Sequence, residues 1–262
     1  MDRFGRKYTR GAKGPKGDKG DDIINLLPKS VIHLLKTIEY DLSCSLTEKE
    51  DLKINAHTKE VIYWYSKANN RKLAGRTPAP IRSENWLEDG IIFQPEKKSQ
   101  LITHDVSLFS KHNGLIATTF RTTGTGSEGV LCVSGSLMEN KSYVRQIRVT
   151  DKSIIFVGQD SDLEPAKYKI ETDTKDWTTL LVTWSHDGDS DVTDFTVFVN
   201  DEIHYFSFKA FQLHSNTIII GGYGDDYYYG HLKSFEIWHC KDIIPRKLID
   251  NILVNDITYK YK

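Results

Sequence analysis

The sequence predicts a mostly β protein, an antiparallel sandwich preceded by a glycine-repeat arm and a short helix. Three observations carry this. From about Gly90 onward, short apolar or alternating runs recur between turn-rich stretches, which is the pattern of antiparallel strands. Ahead of them, glycine stands at every third position in Gly11, Gly14, Gly17 and Gly20. An apolar stripe at three–four spacing follows at once, in Ile24, Leu27, Val31, Leu34 and Ile38.

Taken in order, residues 1–22 read as a basic, collagen-like arm. Only glycine fits at the crowded axis of a triple helix, and such a run specifies three chains. Four triplets are few, so the neighbouring segment must help to nucleate them. Residues 23–40 read as a short helical neck. Pro28 belongs in its first turn, where the missing N–H is harmless, and the three–four stripe suits a coiled-coil seam. Both segments point to a homotrimer. Residues 41–89 read as a collar or as N-terminal strands of the head. They include a capping signal at Ser45–Glu50 and a strand at Val61–Tyr65.

Residues 90–262 read as the head. Its strands are expected at Ile91–Phe93, Leu115–Arg121, Val130–Ser134, Tyr143–Val149, Ser153–Val157, Thr178–Ser185, Asp194–Val199, Glu202–Lys209, Thr217–Gly221 and His231–His239. Many short strands with regular turns argue for a sandwich or barrel. Trp184 and Trp238 lie in alternating runs and read as core anchors.

The formal charge of −1 over 262 residues excludes a general polyanion binder. The charge is uneven, however. Residues 1–20 hold seven Lys/Arg against Asp2 and Asp18, a net +5 that can meet phosphate, an anionic glycan or an acidic partner. Cys44, Cys132 and Cys240 are far apart and form no metal-ligand spacing. No apolar h-region follows Met1, so no signal peptide is expected, and no run approaches the ~20 apolar residues of a membrane span.

The last third has a specific order. Trp177–Trp184 comes first, then an acidic turn, Phe195–Asp201, Thr217–Gly222, Gly230–Trp238 and Ile243–Pro245. This progression resembles the concanavalin A-like jelly roll of laminin G-like and pentraxin-like domains, over roughly residues 90–255. Phe109–Phe120 resembles an early strand of the same families. The resemblance implies a jelly-roll head of lectin type. A collagen-like run, a helix and such a head together resemble collectin-style organisation, although the head is not of the C-type. Collagen-like runs also occur in viral and phage fibres, which need no signal peptide.

Two candidate sites stand out. The turn Asp187, Asp189, Asp191 and Asp194 sets carboxylates at nearly alternate positions, which can converge on calcium, though without the EF-hand pattern; the alternative is a solvated hairpin turn. The loop Tyr223, Asp225, Asp226, Tyr227, Tyr228 and Tyr229 joins two strands at one end of the sandwich. Three adjacent tyrosines cannot all enter one core, so at least one should be exposed, either to meet a ligand or to pack on a neighbouring subunit, and tyrosine is enriched at interfaces of either kind. The glycine-rich loop Thr123–Gly129 lacks the Walker lysine and any following helix, so it is no phosphate cradle. No GxSxG or HExxH is present.

The expected function is therefore non-enzymatic attachment. A trimeric stalk would display lectin-like heads that bind glycan or a protein receptor, on a virion or extracellular surface. One alternative is a structural capsid or coat component whose basic arm contacts nucleic acid or neighbouring subunits. Another is a polysaccharide-cleaving jelly-roll enzyme.

Overall fold

The computed structural model describes residues 38–76, 78–104, 113–124, 127–138, 141–159, 165–186, 192–200, 202–209 and 217–240. All belong to one compact unit that begins at Thr37. Its strands open with β1 (Ile38–Ser45), β2 (Leu52–Ile54), β3 (Val61–Tyr65), β4 (Lys72–Arg76) and β5 (Ile81–Arg82). A four-residue helix, α1 (Trp86–Asp89), precedes β6 (Ile91–Phe93) and β7 (Gln100–His104). There follow β8 (Asn113–Thr122), β9 (Gly129–Met138), β10 (Lys141–Thr150), β11 (Ser153–Gln159) and β12 (Ala166–Glu171). The last are β13 (Thr178–His186), β14 (Val192–Val199), β15 (Glu202–Lys209), β16 (Thr217–Ile220), β17 (Gly222–Tyr223), β18 (Asp226–Tyr227) and β19 (Gly230–Cys240).

They form two sheets. The eight-stranded sheet runs β15-β14-β13-β8-β19-β6-β5, with β1 also paired to β19. The eleven-stranded sheet runs β12-β11-β10-β9-β16-β7-β4-β3-β2, with β17 and β18 attached at β9. Pairing is antiparallel throughout, except for one parallel contact between Tyr227 and Val130.

The core follows from period-two alternation. Leu180, Val182 and Trp184 of β13 face inward with Phe195, Val197 and Val199 of β14. Ile147, Val149, Ile154 and Phe156 meet them from the other sheet. These residues are mostly β-branched or aromatic, and such side chains fit a pleated, half-buried surface. The eight-stranded sheet is buried on its opposite face as well, at Leu115, Ala117, Leu181, Phe198 and Trp238. Both expected tryptophan anchors are thus buried, but on opposite faces: Trp184 pairs with Gly114, whereas Trp238 pairs with the adjacent Leu115.

Residues 38–82 supply strands to both sheets. The expected neck helix is corrected at its end: β1 starts at Ile38, which pairs with Cys240, so Ile38–Tyr40 are strand. The physical reason is the long edge of β19, which satisfies the β1 backbone. A bulge follows Tyr40. At the bulge Asp41 takes the Arg71 guanidinium at 3.2 Å and the His239 imidazole at 2.7 Å. The other trimerisation residues, Gly11, Gly14, Gly17, Gly20, Ile24, Leu27, Val31 and Leu34, lie outside the described residues. The Ser45–Glu50 signal becomes a single 3-10 turn at Lys49–Asp51, whose Asp51 carboxylate accepts the backbone N–H groups of Thr47 and Glu48. Among the described residues no helix is long and apolar enough to cross a membrane.

Cys44 and Cys132 are buried free thiols. Burial pushes both thiols far above the usual range, because the thiolate would lose its hydration. Peptide mapping after alkylation at pH 8 should therefore show adducts at Cys44 and Cys132 only in denaturant. Rapid labelling of either residue in the native protein would contradict this packing.

Candidate functional site

The tyrosine loop is built around one buried residue. Gly221 follows β16 with φ +99°, and a Cβ there would collide with the Phe93 ring and the Ser99 carbonyl. The chain can turn here only with glycine. Tyr223 then pairs with Asp226 and Gly222 with Tyr227 in a small hairpin, and the Gln100 amide donates to the Gly222 carbonyl at 3.1 Å.

Tyr228 follows, fully buried. Its ring lies 5.4 Å from that of Phe93 and 6.4 Å, edge-on, from that of Phe120. Its hydroxyl stands 2.6 Å from the Arg121 carbonyl and 3.0 Å from that of His231, sharing one proton between two strands. Burial pushes this phenol well above its usual pKa. Of the predicted ligand residues, Tyr228 is thus a core anchor that cannot meet a ligand from solvent.

Its neighbours are held at the surface. Tyr223, Tyr227 and Tyr229 are half-buried, and the Asp225 side chain is 99% exposed. Tyr223 packs with Val130, Val133 and Ile219 in a small apolar cluster separate from the main core. Lys98 lies 5.6 Å from the centre of the Tyr227 ring and 3.5 Å from Asp225. Asp226 is differently engaged: it accepts from Arg148 at 2.8 Å, and Arg148 also donates to Glu128 and to the Gln146 side-chain oxygen. The surface therefore offers two tyrosine faces beside one exposed carboxylate, the donor–acceptor and aromatic mixture of an adaptable contact surface.

In the proposed calcium turn, Asp187, Asp189 and Asp191 lie outside the described residues. Asp194 is described and accepts from the Ser207 hydroxyl. Among the described residues, no group of three or more His, Cys, Asp or Glu converges as metal ligands.

A second polar cluster escaped the sequence reading. Arg121 of β8 and His231 of β19 are directly paired, so their side chains stand together on one face. Asp89, at the end of α1, accepts Arg121 at 2.9 Å and Ser83 at 3.1 Å through its two oxygens. Its backbone carbonyl takes the His231 Nδ1–H at 2.8 Å. Trp177 stands beside them, half-buried, with the Arg121 guanidinium carbon 4.8 Å and the Lys233 ammonium 4.2 Å from its ring centre. Burial first, and Arg121 next to it, hold Lys233 below its ordinary pKa. His231 is likewise lowered, chiefly by burial, partly offset by its bond to Asp89. Trp177 opens the Trp177–Trp184 run noted in the sequence, but its partners come from strands far away in the chain.

No protein-family model and no curated protein sequence matches this chain. Solved structures do match. The binding domain of botulinum neurotoxin serotype D is similar over 83% of this chain and 52% of its own, at TM-score 0.52 and 12% identity. The binding domain of botulinum neurotoxin DC, solved in complex with rat synaptotagmin II, is similar over 86% and 53%, at TM-score 0.51 and 13% identity. A botulinum neurotoxin type C structure, described as dependent for cell entry on two ganglioside molecules, covers 86% and 52% at TM-score 0.52 and 13% identity. The chain thus spans about half the length of the structures it matches. The likeness concerns the fold alone, a β-sandwich.

Two outcomes follow from this geometry. Tyr228→Phe removes the buried hydroxyl that meets the Arg121 and His231 carbonyls and should lower unfolding stability by about 1–3 kcal/mol, read by urea denaturation. A loss below about 0.3 kcal/mol would show that the phenol is no anchor. The lowered His231 pKa gives a pH dependence with a definite sign. Well above the ordinary histidine pKa of about 6.5 both folded and unfolded forms are neutral and nothing is lost. As pH falls through the histidine range, the unfolded chain takes the proton first, so stability declines. His231→Gln should flatten this decline between pH 7.5 and 5.5, and an unchanged slope would refute the assignment.

Proposed function

We propose that this chain is a non-enzymatic recognition domain that binds a glycan or a protein receptor at the face formed by Tyr223, Asp225 and Tyr227. The observation that carries it is the division of labour in the loop. Buried Tyr228 fixes the backbone, while its neighbours are held at the surface beside the exposed Asp225. A contact surface fixed before binding loses little entropy when it engages. The fold supports the reading, since solved structures of similar architecture are toxin binding domains, one in complex with synaptotagmin II and one linked to gangliosides.

In the fuller form of this reading the head is a concanavalin A-like jelly roll, and three heads share a collagen-like stalk on a virion or extracellular surface. Weak single sites then become strong together, because each later contact forms at high effective concentration. Calcium at the Asp187–Asp194 turn belongs to the same proposal.

Glycan-array binding of the full chain, with calcium and with chelator, tests it, with solution mass recorded on the same sample. Selective binding that falls at least tenfold in Tyr227→Ala and Asp225→Ala, with unfolding midpoints unchanged, is expected. Binding that survives both substitutions would move the site elsewhere, and a folded protein that binds neither glycans nor a cell surface would end the reading. Chelator sensitivity would support the calcium turn, and insensitivity would remove it.

A further inference from the structure

We propose a second recognition site at Trp177, selective for an acidic saccharide, that is, a sugar ring bearing a carboxylate or a sulfate. It goes beyond the tyrosine-loop reading, uses none of its side chains, and has a test that reads this site alone.

The argument begins with the strand register. Arg121 and His231 sit opposite each other across β8 and β19. Between Leu232 and Ser234 that pairing shifts by one residue, which makes Lys233 the extra residue of a bulge. A bulge re-aims the side chain it carries. Here it carries the Lys233 ammonium to 4.2 Å from the Trp177 ring centre, on the same indole that Arg121 approaches at 4.8 Å.

Charge is the second step. Asp89 is the carboxylate in direct contact with this cluster, and its two oxygens are engaged by Arg121 and Ser83. Lys233 forms no ion pair among the described residues. Two cations therefore share one indole with one carboxylate in contact, Asp89; burial first and Arg121 second lower the pKa of Lys233, and Asp89 and the more distant Glu88 offset this only in part. An incoming anion would relieve the repulsion between the two cations.

The third step is donor geometry. A guanidinium carries five N–H donors in a rigid fork that matches planar oxyanions. Among the described residues Asp89 engages Arg121 through Nη2 alone, which leaves the rest of the fork for an oxyanion. Arg121 and Lys233 are both partly exposed, so the site is open to solvent. Trp177 is half-buried under these two cations, and the part of the indole left exposed beside them offers an apolar edge that a simple anion does not use and the carbon face of a sugar ring can meet.

The test uses the full chain with three soluble probes: sialyllactose, a sulfated heparin disaccharide and lactose, titrated by calorimetry at low salt. Binding of one or both acidic probes with at least tenfold preference over lactose is expected, weakening as salt rises. Lys233→Gln should weaken acidic binding about tenfold. The Lys233 side chain makes no hydrogen bond or ion pair among the described residues, and the bond its backbone carbonyl accepts from Leu46 survives the substitution, so the variant is expected to fold, and its unfolding midpoint is measured alongside. Tyr227→Ala should leave acidic binding unchanged. Preference for sialyllactose would define a carboxylate site, and preference for the disaccharide a sulfate site. Absence of acidic binding at millimolar probe, equal affinity for lactose, or indifference to Lys233→Gln in a folded variant would each overturn the proposal. Loss of the tyrosine-loop activity in Tyr227→Ala with acidic binding retained separates this site from the first.

Discussion

The structure depends on the pairing of β8 with β19. This ladder runs from Gly230 opposite Thr122 to His239 opposite Gly114. One face gives Ile116, Phe120, Leu232, Phe235 and Ile237 to the core. The opposite face presents Arg121 and His231. Because side chains alternate, a slip of one residue would turn Arg121 and His231 into the core and Phe120 and Leu232 out of it. The hydrophobic core thus enforces the register, and the register places the cationic pair beside Trp177. Tyr228 reinforces the same constraint, since its hydroxyl lies between carbonyls of these two strands.

Much of the head was legible because its strands are long, apolar and closed by turn residues. β3, β6 and β15 match the expected ranges residue for residue, and β8, β13, β14 and β19 differ by a few at the ends. What failed were strands whose pairing is set by distant partners. β1 reads as Ile-Glu-Tyr-Asp-Leu-Ser-Cys-Ser, and Leu42 and Cys44 are its described core contacts. Its extended form comes from the edge of β19, about two hundred residues later. Lys72–Arg76 and Gln100–His104 are similar cases. Each is short, and each is completed by strands on both sides. Local propensity is a weak guide where tertiary pairing decides.

The two sites divide in the same way. The tyrosine loop is contiguous, so its composition alone marked it. Which tyrosine would be buried was not legible, because that depends on Phe93 and Phe120, which converge on Tyr228 from β6 and β8. The Trp177 cluster draws on α1, β8, the segment before β13, and β19. No spacing rule links Asp89, Arg121, Trp177 and Lys233, and only the folded register makes them neighbours. The bulge at Lys233 adds a second obstacle, since a period-two reading cannot foresee where the alternation is broken.

Two arginines show why such clusters differ in what they can do. Arg148, by the tyrosine loop, meets Glu128, Asp226 and Gln146. Two carboxylates outweigh its charge, and its fork is largely filled. It holds the loop and has little left for a ligand. Arg121 meets the single carboxylate of Asp89, which also ties α1 to the sheet, and a second cation stands near it. Pairs as exposed as these contribute little to stability, about 0–1 kcal/mol each, so neither cluster is explained by folding energy alone. What separates them is local charge: a negative balance with tyrosines on one sheet, where sugar hydroxyls or a protein surface can be met by an acceptor, and on the other a pair of cations at one indole, with a single carboxylate in direct contact. A fold that keeps both surfaces rigid through one buried phenol and one strand register can offer two chemically distinct contacts without any moving part.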